Sequence, residues 1–157
     1  MRSASLPGSL GFLAGCWMLH GLLVQLVPWG WIVPDLTLIA LVVAVGYAPQ
    51  HWVLLSSLAG LLTTVWTIGM GLPVLLSYVI FGGSLRVLAR RWDVTDQRVQ
   101  RLLASVGCVG LLIAGLGREG AWSVSLAGIL GLQGLMAGLA VPLARRLHGS
   151  VFRIHDA

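Results

Sequence analysis

Two long stretches of this chain contain no charged residue, and they restrict the folds that the chain can adopt. No Asp, Glu, Lys or Arg occurs in residues 3–34 or in residues 36–85. A helix needs roughly 20 apolar residues to cross a bilayer, so the second stretch has room for two or three crossings. Only 10% of all residues are charged, whereas a soluble globular domain has about 25%. The sequence therefore predicts an all-α, polytopic transmembrane helix bundle that forms a single integral-membrane domain over residues 1–157.

Turn-forming residues divide this apolar sequence into about six predicted spans, because prolines and glycines interrupt helices. The first stretch has no small-residue cleavage site before a polar region, so we interpret it as a retained span rather than a signal peptide. The second and third spans are short, which leaves a tilted or re-entrant pair open. The predicted spans cover residues 8–27, 36–47, 52–68, 73–88, 102–116 and 121–143, with a polar loop at 89–101 and a polar tail at 145–157.

The basic residues, all of them arginine, predict the orientation of the chain. Nine of the ten lie at the N-terminus, around the 89–101 loop or near the C-terminus. With an even number of spans these three segments share one side, and the positive-inside rule assigns that side to the cytoplasm. We therefore expect a multi-pass protein of the bacterial inner membrane with both termini cytoplasmic. The positive charge indicates topology and contact with membrane lipids rather than nucleic-acid binding.

The predicted spans offer little chemistry. His20 is the one histidine well inside a predicted span, and we interpret it as a packed side chain. Serines such as Ser56 and Ser77 provide only the generic Ser–His pairs that any polytopic protein contains. Cys16 and Cys108 lie in apolar sequence without metal-binding spacing. We therefore expect a non-enzymatic protein with no catalytic residue, no metal and no cofactor.

Glycines at helix-packing spacing are the first candidates for partner contacts. Gly11 and Gly15 lie in the first predicted span, and Gly134 and Gly138 lie in the last. Small residues let helix backbones approach closely, which is how helices associate in lipid. The sequence leaves open whether these glycines pack inside one bundle or against another chain.

The polar loop is the second candidate for partner contacts. Its arginines are candidates for docking a cytosolic partner, and the alternative is a topology signal facing lipid headgroups. Asp93 and Asp96 lie beside them, so we expect the arginine charge to be partly neutralised. The candidate residues are Arg90, Arg91, Arg98 and Arg101.

The order of these features resembles the MreD family, the rod shape-determining membrane proteins of bacteria. That family has a Pro-Asp-Leu motif at the start of the second helix, then a Gly/Leu-rich segment, a Gly-Leu break and a span ending in Tyr, Gly and an arginine cluster. The resemblance covers about residues 8–147. The counterparts here are Pro34, Asp35 and Leu36, then residues 58–62 and 69–73, then Tyr78, Gly82, Gly83, Arg86, Arg90 and Arg91.

The resemblance implies a scaffold of the cell-elongation machinery. Such a protein would bind MreC-like proteins and help couple MreB-like filaments to RodA-like glycosyltransferases and their transpeptidases, which make peptidoglycan. It also implies a fold similar to the substrate-binding S components of energy-coupling-factor vitamin transporters. Two alternatives remain open: a small-molecule-binding component of a transporter, and an accessory subunit of a photosynthetic or respiratory complex.

Overall fold

The computed structural model describes residues 6–28, 33–65, 71–116 and 124–154, and these residues form a bundle of helices. No strand occurs within those four ranges, so the predicted all-α membrane bundle is confirmed. A short 3₁₀ turn at Pro49–His51 joins the second helix to the third. The helices are α1 (Leu6–Leu26), α2 (Leu36–Tyr47), α3 (Trp52–Thr64), α4 (Gly71–Leu88), α5 (Gln97–Leu116) and α6 (Val124–Ile154).

Three segments of these helices are long and apolar enough to cross a membrane. They are Leu6–Leu26, Gly71–Leu88 and Ala127–Ser150. The second helix is apolar but has only 12 residues, so it rises about 18 Å, less than the roughly 30 Å of a hydrocarbon core. The third helix has 13 residues and is similarly short. The second and third helices therefore form the short pair that the sequence predicts.

Helix α2 lies at the centre of the bundle and contacts each of the other five helices. Every residue from Thr37 to Val45 is buried. An apolar helix without a polar face is expected to be enclosed on all sides, and the sequence of α2 fits that description. The helix ends where Pro49 follows Ala48, because proline disfavours helical backbone in the residue before it. Ala48 accordingly has φ −135° and ψ 61°.

The helices alternate in direction, so the bundle has two distinct ends. We call the end where α2, α4 and α6 begin the Asp35 end, and the opposite end the arginine end. Tyr47, the last residue of α2, meets Arg145 of α6 at the arginine end. The arginines of the described ranges all lie in the parts of the chain that gather there: Arg86, Arg90, Arg91, Arg98, Arg101, Arg145, Arg146 and Arg153.

Two polar segments predicted outside the helices are partly helical, which corrects their bounds. The loop does not continue to residue 101, because Asp96 starts α5: its carboxylate accepts the Arg98 N–H at 2.9 Å. The last helix does not stop at residue 143 but runs through Pro142 to Ile154. Arginine favours helix, and no proline follows residue 143 to interrupt one. The predicted bounds at 68 and 121 lie outside the described residues.

Candidate interaction surfaces

The Pro-Asp-Leu motif forms the start of α2 and connects it to α4. One carboxylate oxygen of Asp35 accepts the N–H groups of Thr37 and Leu38, at 3.0 and 3.1 Å. Its other oxygen accepts a hydrogen bond from the Tyr78 hydroxyl. The Tyr78 side chain is only 1% exposed, and Thr63 of α3 also interacts with it. Asp35 is therefore a helix cap that also binds the hydroxyl of a neighbouring helix, and Pro34 and Leu36 flank it.

The glycines of α6 pack inside the bundle. A Cβ atom on Gly134 would lie 3.0 Å from a Val109 methyl group, and one on Gly138 would lie 2.9 Å from the Ser105 hydroxyl. That hydroxyl donates to the Gly134 carbonyl at 2.7 Å, across the α5–α6 contact. The sequence leaves open whether these glycines pack inside one bundle or against another chain. In the structure Gly134 and Gly138 pack inside the bundle.

The glycines of α1 have the opposite environment. Gly11 and Gly15 are exposed, and a Cβ atom built on either would meet nothing within 4 Å. They continue into a line of exposed apolar side chains on the same face of the helix, at a spacing of three or four residues. We call this face the α1 stripe; it consists of Gly11, Gly15, Met18, Leu22 and Leu26.

The four candidate arginines of the loop are all exposed: Arg90, Arg91, Arg98 and Arg101. No ion pair joins them to Asp93 or Asp96 in the part of the chain that the structure describes. The partial neutralisation of their charge by these nearby carboxylates stays a prediction. Both carboxylates bind the backbone of their own turn instead. Asp93 accepts hydrogen bonds from the Thr95 hydroxyl and N–H, and these bonds lower the pKa of Asp93. Short acidic side chains at a helix start commonly make such local bonds.

A cluster at the arginine end was not predicted. The ring of His148 stacks on Tyr47, with centroids 4.9 Å apart, and meets Phe12 edge-on at 5.0 Å. The Arg145 guanidinium donates to the Tyr47 hydroxyl at 3.0 Å and lies 5.9 Å from the centre of its ring. Both Arg145 and His148 fall in the polar tail that the sequence predicts for residues 145–157. Their spacing of three residues on one helix was the available signal, since such residues share a face.

A second unpredicted feature is an open groove of about 850 Å³ beside α3 and α4 at the arginine end. The Trp52 ring lines it, together with Gly83, Arg86 and Arg90. Trp52 starts α3, and a Cβ atom on Gly83 would lie 3.4 Å from the indole. The groove therefore combines an aromatic surface, an open stretch of backbone and two cationic groups.

No family model matches the chain, and neither a curated protein nor a solved structure matches it.

Proposed function

We propose that this chain is a non-enzymatic scaffold of the bacterial cell-elongation machinery, similar to MreD. In this proposal it lies in the inner membrane with its arginine end in the cytoplasm. There it helps maintain rod shape by linking MreC-like and MreB-like proteins to RodA-like peptidoglycan synthases.

The observation that carries the proposal is the contrast between the two glycine pairs. Gly134 and Gly138 are covered by α5, whereas Gly11 and Gly15 leave the α1 stripe open. In lipid, a helix face with small residues permits close contact with another helix. The α1 stripe is therefore the proposed contact with the membrane helix of a partner.

The arginine end supplies the second proposed contact. The side chains of Arg90, Arg91, Arg98 and Arg101 are exposed. Asp93 and Asp96 bind backbone N–H groups of their own turn rather than these guanidinium groups. A cationic surface of this kind favours docking of an acidic cytosolic protein. It also supports the cytoplasmic orientation, since arginines concentrate on the cytoplasmic side of membrane proteins.

Several residues that match the MreD family pattern contact each other or neighbouring helices in the structure. Asp35 binds Tyr78, and a Cβ atom on Gly82 would lie only 2.6 Å from the Ser56 side chain. These motifs therefore act in the packing of α2, α3 and α4. In the proposal they hold the bundle together while α1 and the arginine end bind partners.

Co-purification from the native membrane in a mild detergent, followed by mass spectrometry, tests the proposal. We expect MreC-like or RodA-like proteins with the wild-type chain and their loss from a Gly11→Leu/Gly15→Leu variant. Gly110→Leu is the matched control, because that glycine is also exposed with nothing within 4 Å of its Cβ position. Recovery with a pair of ATPases would instead identify a transporter component. Recovery inside a pigment or redox complex would identify an accessory subunit.

A reporter fused to the C-terminus tests the orientation separately. A fused green fluorescent protein is expected to fluoresce, and a fused alkaline phosphatase is expected to be inactive. The reverse pattern would place the arginine end outside the cytoplasm and contradict the proposed docking of cytosolic proteins.

A further inference from the structure

The groove beside α3 and α4 has the composition of a lipid-headgroup site. We propose that it binds one anionic phospholipid, with the lipid phosphate at Arg86 and Arg90. This inference stands apart from the scaffold proposal, because it depends only on the groove and its surroundings.

The charge of the groove favours an anion. Arg86 and Arg90 both line it, and among the described residues that line it there is no carboxylate. Arginine presents several N–H donors in a plane and binds phosphate oxygens with two of them at once. Basic pockets between membrane helices bind anionic lipid headgroups.

The apolar side chains next to the groove favour a lipid over a soluble phosphate. Ile80 and Val87 are 68% and 61% exposed and also line the groove. They lie seven residues apart on α4, so both are on the same face of the helix, and Arg90 follows at its end. From Ile80 to the end of α4 at Leu88 the helix rises about 12 Å, enough to extend from the acyl chains to the headgroup layer.

Trp52 and Gly83 shape the middle of the groove. Tryptophan is enriched at membrane interfaces because its ring is apolar and its N–H is polar. The indole ring lies close to the backbone of α4 because Gly83 has no side chain, as the 3.4 Å distance to its Cβ position indicates. The lipid glycerol would therefore lie over the surface that the Trp52 ring and the Gly83 backbone form together.

Native mass spectrometry of the purified protein tests this site. The protein in a neutral detergent is titrated with phosphatidylglycerol, and in parallel with phosphatidylcholine. We expect a preference for phosphatidylglycerol that falls about 25-fold in an Arg86→Gln/Arg90→Gln variant, or about fivefold for each arginine. The matched control is Arg98→Gln/Arg101→Gln, which removes the same charge from exposed positions outside the groove.

Several outcomes would overturn the proposal. An equal loss in both double variants would show a general charge effect, and no loss in the groove variant would show that the lipid binds elsewhere. Displacement of phosphatidylglycerol by millimolar inorganic phosphate would show a site for soluble anions. A Gly83→Leu variant fills the groove but keeps every arginine. We expect it to lose phosphatidylglycerol binding as well, and unchanged binding in that variant would contradict the assigned position.

Discussion

The two ends of the central helix α2 use polar residues in opposite ways. At the Asp35 end, one carboxylate binds two backbone N–H groups and the hydroxyl of the buried Tyr78. At the arginine end, Tyr47 is stacked on His148 and bound by Arg145, and other guanidinium groups around it are exposed. The first end directs its charge inward to join helices, whereas the second directs most of its charge outward.

This difference separates residues that hold the bundle together from residues available to other molecules. Asp35 is half-buried, and a carboxylate that is partly removed from water is costly unless it is hydrogen-bonded. Its contacts are therefore expected to be sensitive to any substitution. Exposed arginines contribute little to folding because water and salt screen them. We therefore expect substitutions at the Asp35 end to change stability, and substitutions of exposed residues at the arginine end to change binding.

The largest expected effect is that of Asp35→Ala. The substitution removes the cap of α2, worth about 0.5–2 kcal/mol, and leaves the Tyr78 hydroxyl without its acceptor, at a cost of about 1–3 kcal/mol. The matched control is Asp96→Ala, which removes an exposed cap from α5 at the other end. Thermal unfolding in one detergent measures both. An equal loss of stability in the two variants would contradict the contrast between the ends.

Deleting one hydroxyl at each end sharpens the same comparison. Both hydroxyls bind a charged group, but Tyr78 is 1% exposed whereas Tyr47 is half-buried. For Tyr78→Phe we expect a loss of about 1.5–3 kcal/mol, the range for hydrogen bonds to charged groups. Tyr47→Phe keeps the ring that stacks on His148, and water can replace the lost hydroxyl at Arg145, so we expect a smaller loss of about 0.5–1.5 kcal/mol. Denaturant titration in detergent gives both values. A larger loss for Tyr47→Phe would assign the main structural role to the arginine end.

Local sequence signals predicted much of this molecule. The uncharged stretches predict the helical membrane bundle. The cap of α2 is also local, because Asp35 binds N–H groups only two and three residues away. The gathering of arginines at one end followed from their positions and the even number of helices. Each of these features depends on neighbours in sequence or on helix order alone.

Contacts between distant residues were not predictable in the same way. Tyr78 lies 43 residues from Asp35, and no sequence pattern relates the two. The glycine pairs of α1 and α6 share the same spacing, yet only Gly134 and Gly138 are covered. Which face of a helix is buried depends on how the other helices surround it, and a spacing of four residues exists on every face.

For a buried amide at the arginine end we expect a smaller change in stability, and the substitution should raise stability rather than lower it. Gln100 is fully buried, and neither atom of its amide has a hydrogen-bond partner among the described residues. Replacing an unpaired polar group with an apolar one of similar size removes a cost of about 1–3 kcal/mol, offset by any misfit in packing. We therefore expect Gln100→Leu to raise Tm by a few degrees. A lower Tm would indicate that the amide binds a group inside the bundle.

The smallest expected effect concerns the pKa of Asp93 in the exposed loop. Its pKa is lowered from 3.8, first by the Thr95 hydroxyl, then by the Thr95 N–H, and to a lesser extent by the charge of Arg145. Because the pKa is lower in the folded state, these bonds favour folding above the unfolded pKa, and that contribution is lost as the pH falls through the folded pKa. We expect Thr95→Ala to raise the pKa of Asp93 toward 3.8, and an increase in salt to change it less. Carboxyl carbon NMR over a pH series measures both. A larger effect of salt than of Thr95→Ala would mean that the arginine charges, rather than the local turn, set the ionisation of this loop.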